Sequence, residues 1–496
     1  MRNFAMSGAV KRPPMLFNSI DFAVFLPIVF LLYWLVGRKD QRVRNWILLV
    51  ASYVFYGWWD ARFLALIAFS TLVDYFVGVG LGHTSDPKRR KYLLWTSLAV
   101  NLGMLGFFKY YNFFTASFVD AFSLFGAEFH ADRLNIVLPV GISFYTFQTL
   151  SYSIDVFQRK LQPSRDPVAF AAYVSFFPQL VAGPIERAVN LLPQFSEPRI
   201  FNEAQAYDGV RQMLWGLFKK VVVADNCAAI VNPIFGAHEL QDGSTLALAV
   251  VLFAFQIYGD FSGYSDIAIG CARLFGFDLM RNFAFPYFSR DIAEFWRRWH
   301  ISLSTWFRDY LYIPLGGSRL GKLGTVRNVL IIFVVSGFWH GANWTFVMWG
   351  LINGLLFLPL LLRNSHRTMT DTVASGRTLP NGREVWQMLS TFVLVCFAWV
   401  FFRAASVSQA LDVLAQIASS SFFSLPSMFD RKVLFFAVLG ISVMALFEWF
   451  TRERQYGLQL DGLAPRAVRH TLYYGLIVLL MLGAPLGGGE FIYFQF

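Results

Sequence analysis

The chain has 496 residues, 56% hydrophobic and 18% aromatic, with 15% charged and a formal net charge of +11. Long uncharged runs recur from Leu16 to Leu482, many approaching the roughly 20 apolar residues that cross a bilayer as a helix. This argues against a soluble enzyme and points to an all-α polytopic membrane protein. The basic excess does not imply nucleic acid: lysines and arginines cluster in short loops between apolar runs, as the positive-inside bias requires.

In chain order, Met1–Pro14 reads as a polar extension or an alternative start. The first apolar run has no small-residue cleavage site after it and reads as a span, not a removed signal. Predicted spans are Phe17–Val36, Trp46–Trp59, Phe63–Leu81, Tyr92–Phe108, Ile136–Val156, Ala169–Val181 and Gly209–Val223. Leu246–Tyr258, Ile267–Phe275, Val329–Phe338, Trp344–Leu362, Trp386–Phe402, Val433–Phe450 and Leu472–Leu482 complete the set. Several are too short to cross, so about 11–13 crossings are expected beside re-entrant or interfacial helices. Residues 15–485 then form one membrane domain, and 486–496 a C-terminal tail.

Charge orients the spans. The loops holding Arg38, Lys39, Arg42 and Arg44 and holding Lys88–Lys91 are separated by two spans, so both face the cytoplasm. Arg363–Arg383 and Thr451–His470 are basic too, which places the C-terminus outside. The first of these, with Gly376, Pro380 and Gly382, is expected to be the most mobile connection.

Polar chemistry concentrates in a few places. Cys227, Cys271 and Cys396 have no paired spacing and suggest neither disulfides nor a metal site. Tyr258–Asp266 carries Asp260, Asp266 and two glycines inside an apolar run, the pattern of a broken helix capped by Asp260 or Ser262. Ala182–Arg187 reads as a turn ending a span. Residues 296–311 form an amphipathic stretch in which helical spacing puts Trp296, His300 and Ser304 on one face. Arg297, Arg298 and Arg308 then meet headgroups or an anionic donor, Asp309 pairs with an arginine, and Trp299 stands beside His300. Ser336–Trp344 sets His340 between Trp339 and Asn343 in an apolar setting. Histidine at membrane depth is costly, and neutral imidazole can take a proton from a hydroxyl. The bland alternatives are a histidine bonded between helices and an ordinary interfacial helix.

The chain ends Gly487-Gly488-Gly489-Glu490-Phe491-Ile492-Tyr493-Phe494-Gln495-Phe496. At about 3.3 Å per residue, Gly483 to Tyr493 extends about 33 Å, against about 15 Å for half a hydrocarbon core. The tail can therefore return Tyr493 to a central histidine; packing at the outer interface is the alternative. No hydrolase, zinc-protease or nucleotide-binding fingerprint stands in a supporting context.

Asn45–Tyr56, Leu138–Phe147, the Asp260 segment, Trp296–Tyr312 with Leu315-Gly316-Gly317, and Trp339–Asn343 together resemble the membrane-bound O-acyltransferase (MBOAT) family. The likeness is strongest to its bacterial polysaccharide O-acetylation branch. The resemblance implies about a dozen helices around a central tunnel, with His300 and His340 at the family's two histidine positions and His340 the catalytic one. It implies no bound cofactor and an acyl donor, acetyl-CoA, on the cytoplasmic side of a bacterial inner membrane. It also implies an acetyl-Tyr493 carrier and partners among a periplasmic SGNH-type acetyltransferase and polysaccharide-synthesis proteins. Transfer of D-alanine to teichoic acid, or a transporter, are the other readings; paired halves typical of transporters are not seen.

Overall fold

The computed structural model describes residues 15–123, 134–426, 430–485 and 491, and among these there is no strand. In chain order the first helices are α1 (Ile20–Leu31), α2 (Gln41–Gly57), α3 (Arg62–His83) and α4 (Pro87–Leu105). Next come α5 (Tyr111–Ser123), α6 (Ile142–Phe157), α7 (Pro167–Ser175), α8 (Ala188–Leu191), α9 (Glu203–Phe218) and α10 (Asp225–Gly236). The long α11 (Gly243–Leu274) is followed by two short helices, α12 (Ile292–Arg298) and α13 (Ile301–Phe307). Last are α14 (Gly321–His340), α15 (Trp344–Leu362), α16 (Gly382–Arg403), α17 (Val407–Ile417), α18 (Arg431–Phe450) and α19 (Arg466–Gly483). Among the described residues, α3, α11, α14, α15, α16 and α18 are long and apolar enough to cross a membrane.

Side-chain caps set many helix starts. Asp166 accepts from Val168 N at 2.9 Å ahead of Pro167. Asn381 and Glu384 form a reciprocal capping box at α16, with bonds of 2.8 and 2.9 Å.

The chain divides into two compact units. The first comprises Met1–Asn101, Gln148–Leu180 and Arg187–Phe201. Its interior is organised by Asp74 on α3, whose carboxylate accepts from Ser97 at 2.5 Å, Ser153 at 2.6 Å and Asn101 at 2.7 Å. Two arginines counted as loop charges are in fact buried here. Arg44 donates to Gly37 O at 2.9 Å and Arg199 O at 2.5 Å. Arg90 closes the ends of two helices by donating to Leu81 O and Phe157 O.

The second unit comprises Leu102–Phe147, Val181–Glu186 and Asn202–Phe496. Here α9 and α11 meet along glycines: a Cβ on Gly216 would stand 2.5 Å from Gly263 O, and one on Gly270 would stand 2.4 Å from Gly209 O. Small residues permit that backbone approach in membrane helices. A π-turn, Lys219–Ala224, joins α9 to α10. It aims Lys219 at Asp266 (2.6 Å) and Ser262 (2.8 Å), and Lys220 at Asp225 (2.8 Å) and Asp260 (2.7 Å).

These contacts overturn the expected helix break at Asp260. Leu246–Tyr258 and Ile267–Phe275 belong almost wholly to one continuous α11, because the carboxylates are paired across the helix interface and its glycines serve close packing. The Arg363–Arg383 loop is likewise not a loose connection. Arg452 donates to Val373 O at 3.0 Å and Ala374 O at 2.9 Å, and Arg290 reaches Asp371 Oδ1 at 3.0 Å. Trp449 Nε1 adds a bond to Thr378 O at 2.9 Å. The loop therefore meets the segment after α18, consistent with the shared side that charge assigned to both. The Arg290 bond holds the Asp371 carboxyl below its usual range, so this contact persists at neutral pH and is lost only as acid protonates Asp371.

Replacing Gly216 by Val should separate α9 from α11 and destabilise the protein by about 2 kcal/mol or more. The change is read as a lowered Tm in detergent and loss of the monodisperse peak in gel filtration.

Candidate active site

The stretch from Trp296 is not one helix. α12 ends at Arg298, Trp299 is extended, and His300 takes a left-handed conformation (φ 45°, ψ 54°) before α13. Such a backbone costs about 1–3 kcal/mol in a non-glycine residue and persists only when its surroundings hold it. Asn282 does the holding. Its carbonyl accepts from Ile301 N at 2.9 Å, its side-chain oxygen accepts from Ser302 Oγ at 2.9 Å, and its amide donates to Ser265 Oγ at 3.2 Å. Ser302 Oγ also accepts from Ile185 N at 3.0 Å. Ala182–Arg187, expected as a turn, is thereby part of the site's support. Trp306 lies flat on Phe147 at 3.9 Å and donates to Phe147 O at 3.0 Å.

The break corrects the expected common face. Trp296 packs against Phe333 and Trp349, and Ser304 Oγ turns back to Trp299 O at 3.4 Å. His300 instead meets Phe261 edge-on at 4.6 Å and lies 6.0 Å from His340, ring centre to ring centre. It is 1% exposed, and neither ring nitrogen has a hydrogen-bond partner. A buried polar group in that state is costly and calls for an explanation.

His340 is the last residue of α14, 5% exposed, with Trp349 and Phe402 edge-on at 5.2 and 5.4 Å. A helix end leaves carbonyls without intrahelical donors. Lys109 Nζ donates to Trp339 O at 2.7 Å and His340 O at 3.0 Å, and the Tyr110 hydroxyl donates to Phe338 O at 3.0 Å. Both donors sit on or next to the π-turn Gly106–Tyr110 after α4. Asn343 caps α15, accepting from Thr345 N at 3.0 Å and donating to Ala405 O at 2.9 Å. A cavity of about 70 Å³ lies against His340, Trp339, Lys109, Val181 and the segment 138–144.

Other expected site residues have structural partners. Arg297 donates to His366 O at 2.7 Å and Met369 O at 2.5 Å; Arg298 binds Glu294 and Ala284 O. These arginines tie down the 366–371 segment. Asp309 pairs with Arg308 at 2.7 Å, and Trp299 is buried between Phe283 and Trp399. Tyr493 lies outside the described residues. Lys109, Tyr110 and Asn282 were missed from the sequence, although a lysine within the apolar Leu102–Tyr111 run was a legible signal.

A neutral imidazole beside a cavity, as His340 is, can take a proton from a hydroxyl. Residues 156–402 match the MBOAT, membrane-bound O-acyltransferase family. A probable alginate O-acetylase of Pseudomonas putida is 36% identical over 97% of this chain and 100% of its own length. The chain belongs to the membrane-bound O-acyltransferase family. It is accordingly an O-acyltransferase. A peptidoglycan O-acetyltransferase of Helicobacter pylori is 36% identical over 81% of this chain and 79% of its own. A teichoic acid D-alanyltransferase of Streptococcus thermophilus is 30% identical over 53% of this chain and 68% of its own.

Removing the Asn282 side chain (Asn282→Ala) should cost about 1–3 kcal/mol, since it strands buried partners at Ser265 and Ser302. Thermal unfolding in detergent measures this, and acyl transfer should fall because His300 loses its support.

Proposed function

We propose that this enzyme, in a bacterial inner membrane, takes acetyl from a cytoplasmic thioester, acetyl-CoA, for O-acetylation of a cell-envelope polysaccharide. The observation that carries the reading is the His300–His340 pair, 6.0 Å apart in a buried setting, in a chain similar throughout its length to an alginate O-acetylase. His340 takes the proton of an attacking hydroxyl, the hydroxyl oxygen bonds to the thioester carbonyl carbon, and His300 holds the reacting group. The departing thiolate recovers the proton. A partner transferase of the SGNH type on the outer side then places the acetyl on sugar.

The attacking hydroxyl in this reading is that of Tyr493. Support comes from Phe491, which is buried with its ring 5.0 Å from Tyr264 and the Lys220 amine 6.0 Å above it. Tyr264 lies one turn along α11 from Phe261, the residue that meets His300. Tyr493 follows Phe491 by two residues in the sequence. D-alanyl transfer is the second reading, favoured by the teichoic acid D-alanyltransferase likeness over about half of the chain.

Enzyme supplied with isotope-labelled acetyl-CoA should carry labelled acetyl on Tyr493 in the mass spectrum of its C-terminal peptide. His340→Ala should abolish the label. Unmodified Tyr493 in an active enzyme would leave direct transfer to glycan, and labelling from D-alanyl donors alone would favour the second reading.

A further inference from the structure

The acyl-transfer reading gives His340 a proton to move but leaves the carbonyl oxygen without a stabiliser. As the hydroxyl attacks, that oxygen gains a negative charge. Preformed donors placed where charge develops are commonly the largest contribution to such catalysis. Two donors line the cavity against His340.

The first is Lys109. Its amine bonds the carbonyls of Trp339 and His340 and has a long contact, 3.5 Å, to Ser143 Oγ. Among the described residues no carboxylate pairs with it, whereas Lys219 and Lys220 are each matched with aspartates. A buried amine with only neutral partners carries a positive charge at a cost. An anion that forms beside it during the reaction would offset that cost. The second donor is the indole N–H of Trp339, which is 3% exposed and has no acceptor. A buried N–H that bonds nothing weakens the resting protein, and this one belongs to a residue that lines the cavity, so a partner that arrives with substrate would satisfy it.

We propose that Lys109 and Trp339 form the oxyanion site of the acyl transfer. This rests on the thioester reading above. The hydroxyl oxygen bonds to the carbonyl carbon as His340 takes its proton, and the carbonyl π electrons move onto oxygen. The Lys109 ammonium and the Trp339 N–H donate to that oxygen. When the C=O bond re-forms, the C–S bond breaks, the thiolate leaves with its electron pair, and His340 returns the proton to sulfur.

Trp339→Phe and Lys109→Gln test the proposal in the full-length enzyme with labelled acetyl-CoA. Trp339→Phe removes the unpartnered N–H together with part of a ring packed on Phe144 and Phe147; its Tm should stay close to, and no higher than, wild type, while kcat falls about tenfold or more. Lys109→Gln keeps amide N–H donors for the helix end but no charge; kcat should fall about 10²–10³-fold with KM for the donor unchanged. Full activity in Trp339→Phe and Lys109→Gln at unchanged Tm overturns the proposal, as do losses that track a lowered Tm or a raised KM. Wild-type enzyme that accepts no thioester at all overturns the acyl-transfer reading itself, a result distinct from active wild type with indifferent variants.

Discussion

A helix that ends inside a membrane protein leaves carbonyls that water cannot reach, and each must find a donor from the protein itself. That constraint shapes the region of the two histidines. α14 stops at His340, and the carbonyls of Phe338, Trp339 and His340 are taken by the Tyr110 hydroxyl and the Lys109 amine. The next helix is started by Asn343. The interruption between α12 and α13 is answered in the same way, by Asn282 with Ser302 and Ser265. Both histidines thus sit at helix breaks, where a side chain can be aimed by the backbone instead of only by a helical face.

The same rule governs charge. Lys219 and Lys220 leave a π-turn to meet aspartates on α10 and α11, and the Tyr258 hydroxyl donates to Glu448 at 2.8 Å. Close approach along Gly209, Gly216, Gly263 and Gly270 brings these groups within bonding distance. Charges that would be prohibitive alone in hydrocarbon become tolerable when paired and hydrogen-bonded. Lys109 is the informative contrast, since its partners are carbonyls and a hydroxyl.

The arginines show how far local chemistry depends on neighbours. Arg297, Arg298, Arg290 and Arg452 lie in stretches of the sequence that carry several charged residues. They serve to fasten the 366–377 segment by donating to its carbonyls and to Asp371. A guanidinium offers five donors in a fixed fork, so a few of them can order a loop whose glycines and proline suggest looseness.

Hydropathy and charge bias made the all-helical membrane fold and many of its span positions legible from the sequence, and marked His300 and His340 as costly polar residues. Those properties follow from local composition: apolar runs must be helical in lipid, and a histidine in such a run is costly wherever it packs. The sequence did not reveal that Asp260 lies within an unbroken helix, that Trp299–His300 is a break, or that Lys109 closes the end of α14. Each depends on partners far along the chain: Lys220 for Asp260, Asn282 for Ile301 and Ser302, Trp339 and His340 for Lys109. A carboxylate between glycines reads alike whether it caps a broken helix or answers a lysine on the next one. Only tertiary structure, by bringing the partner within about 3 Å, decides between them.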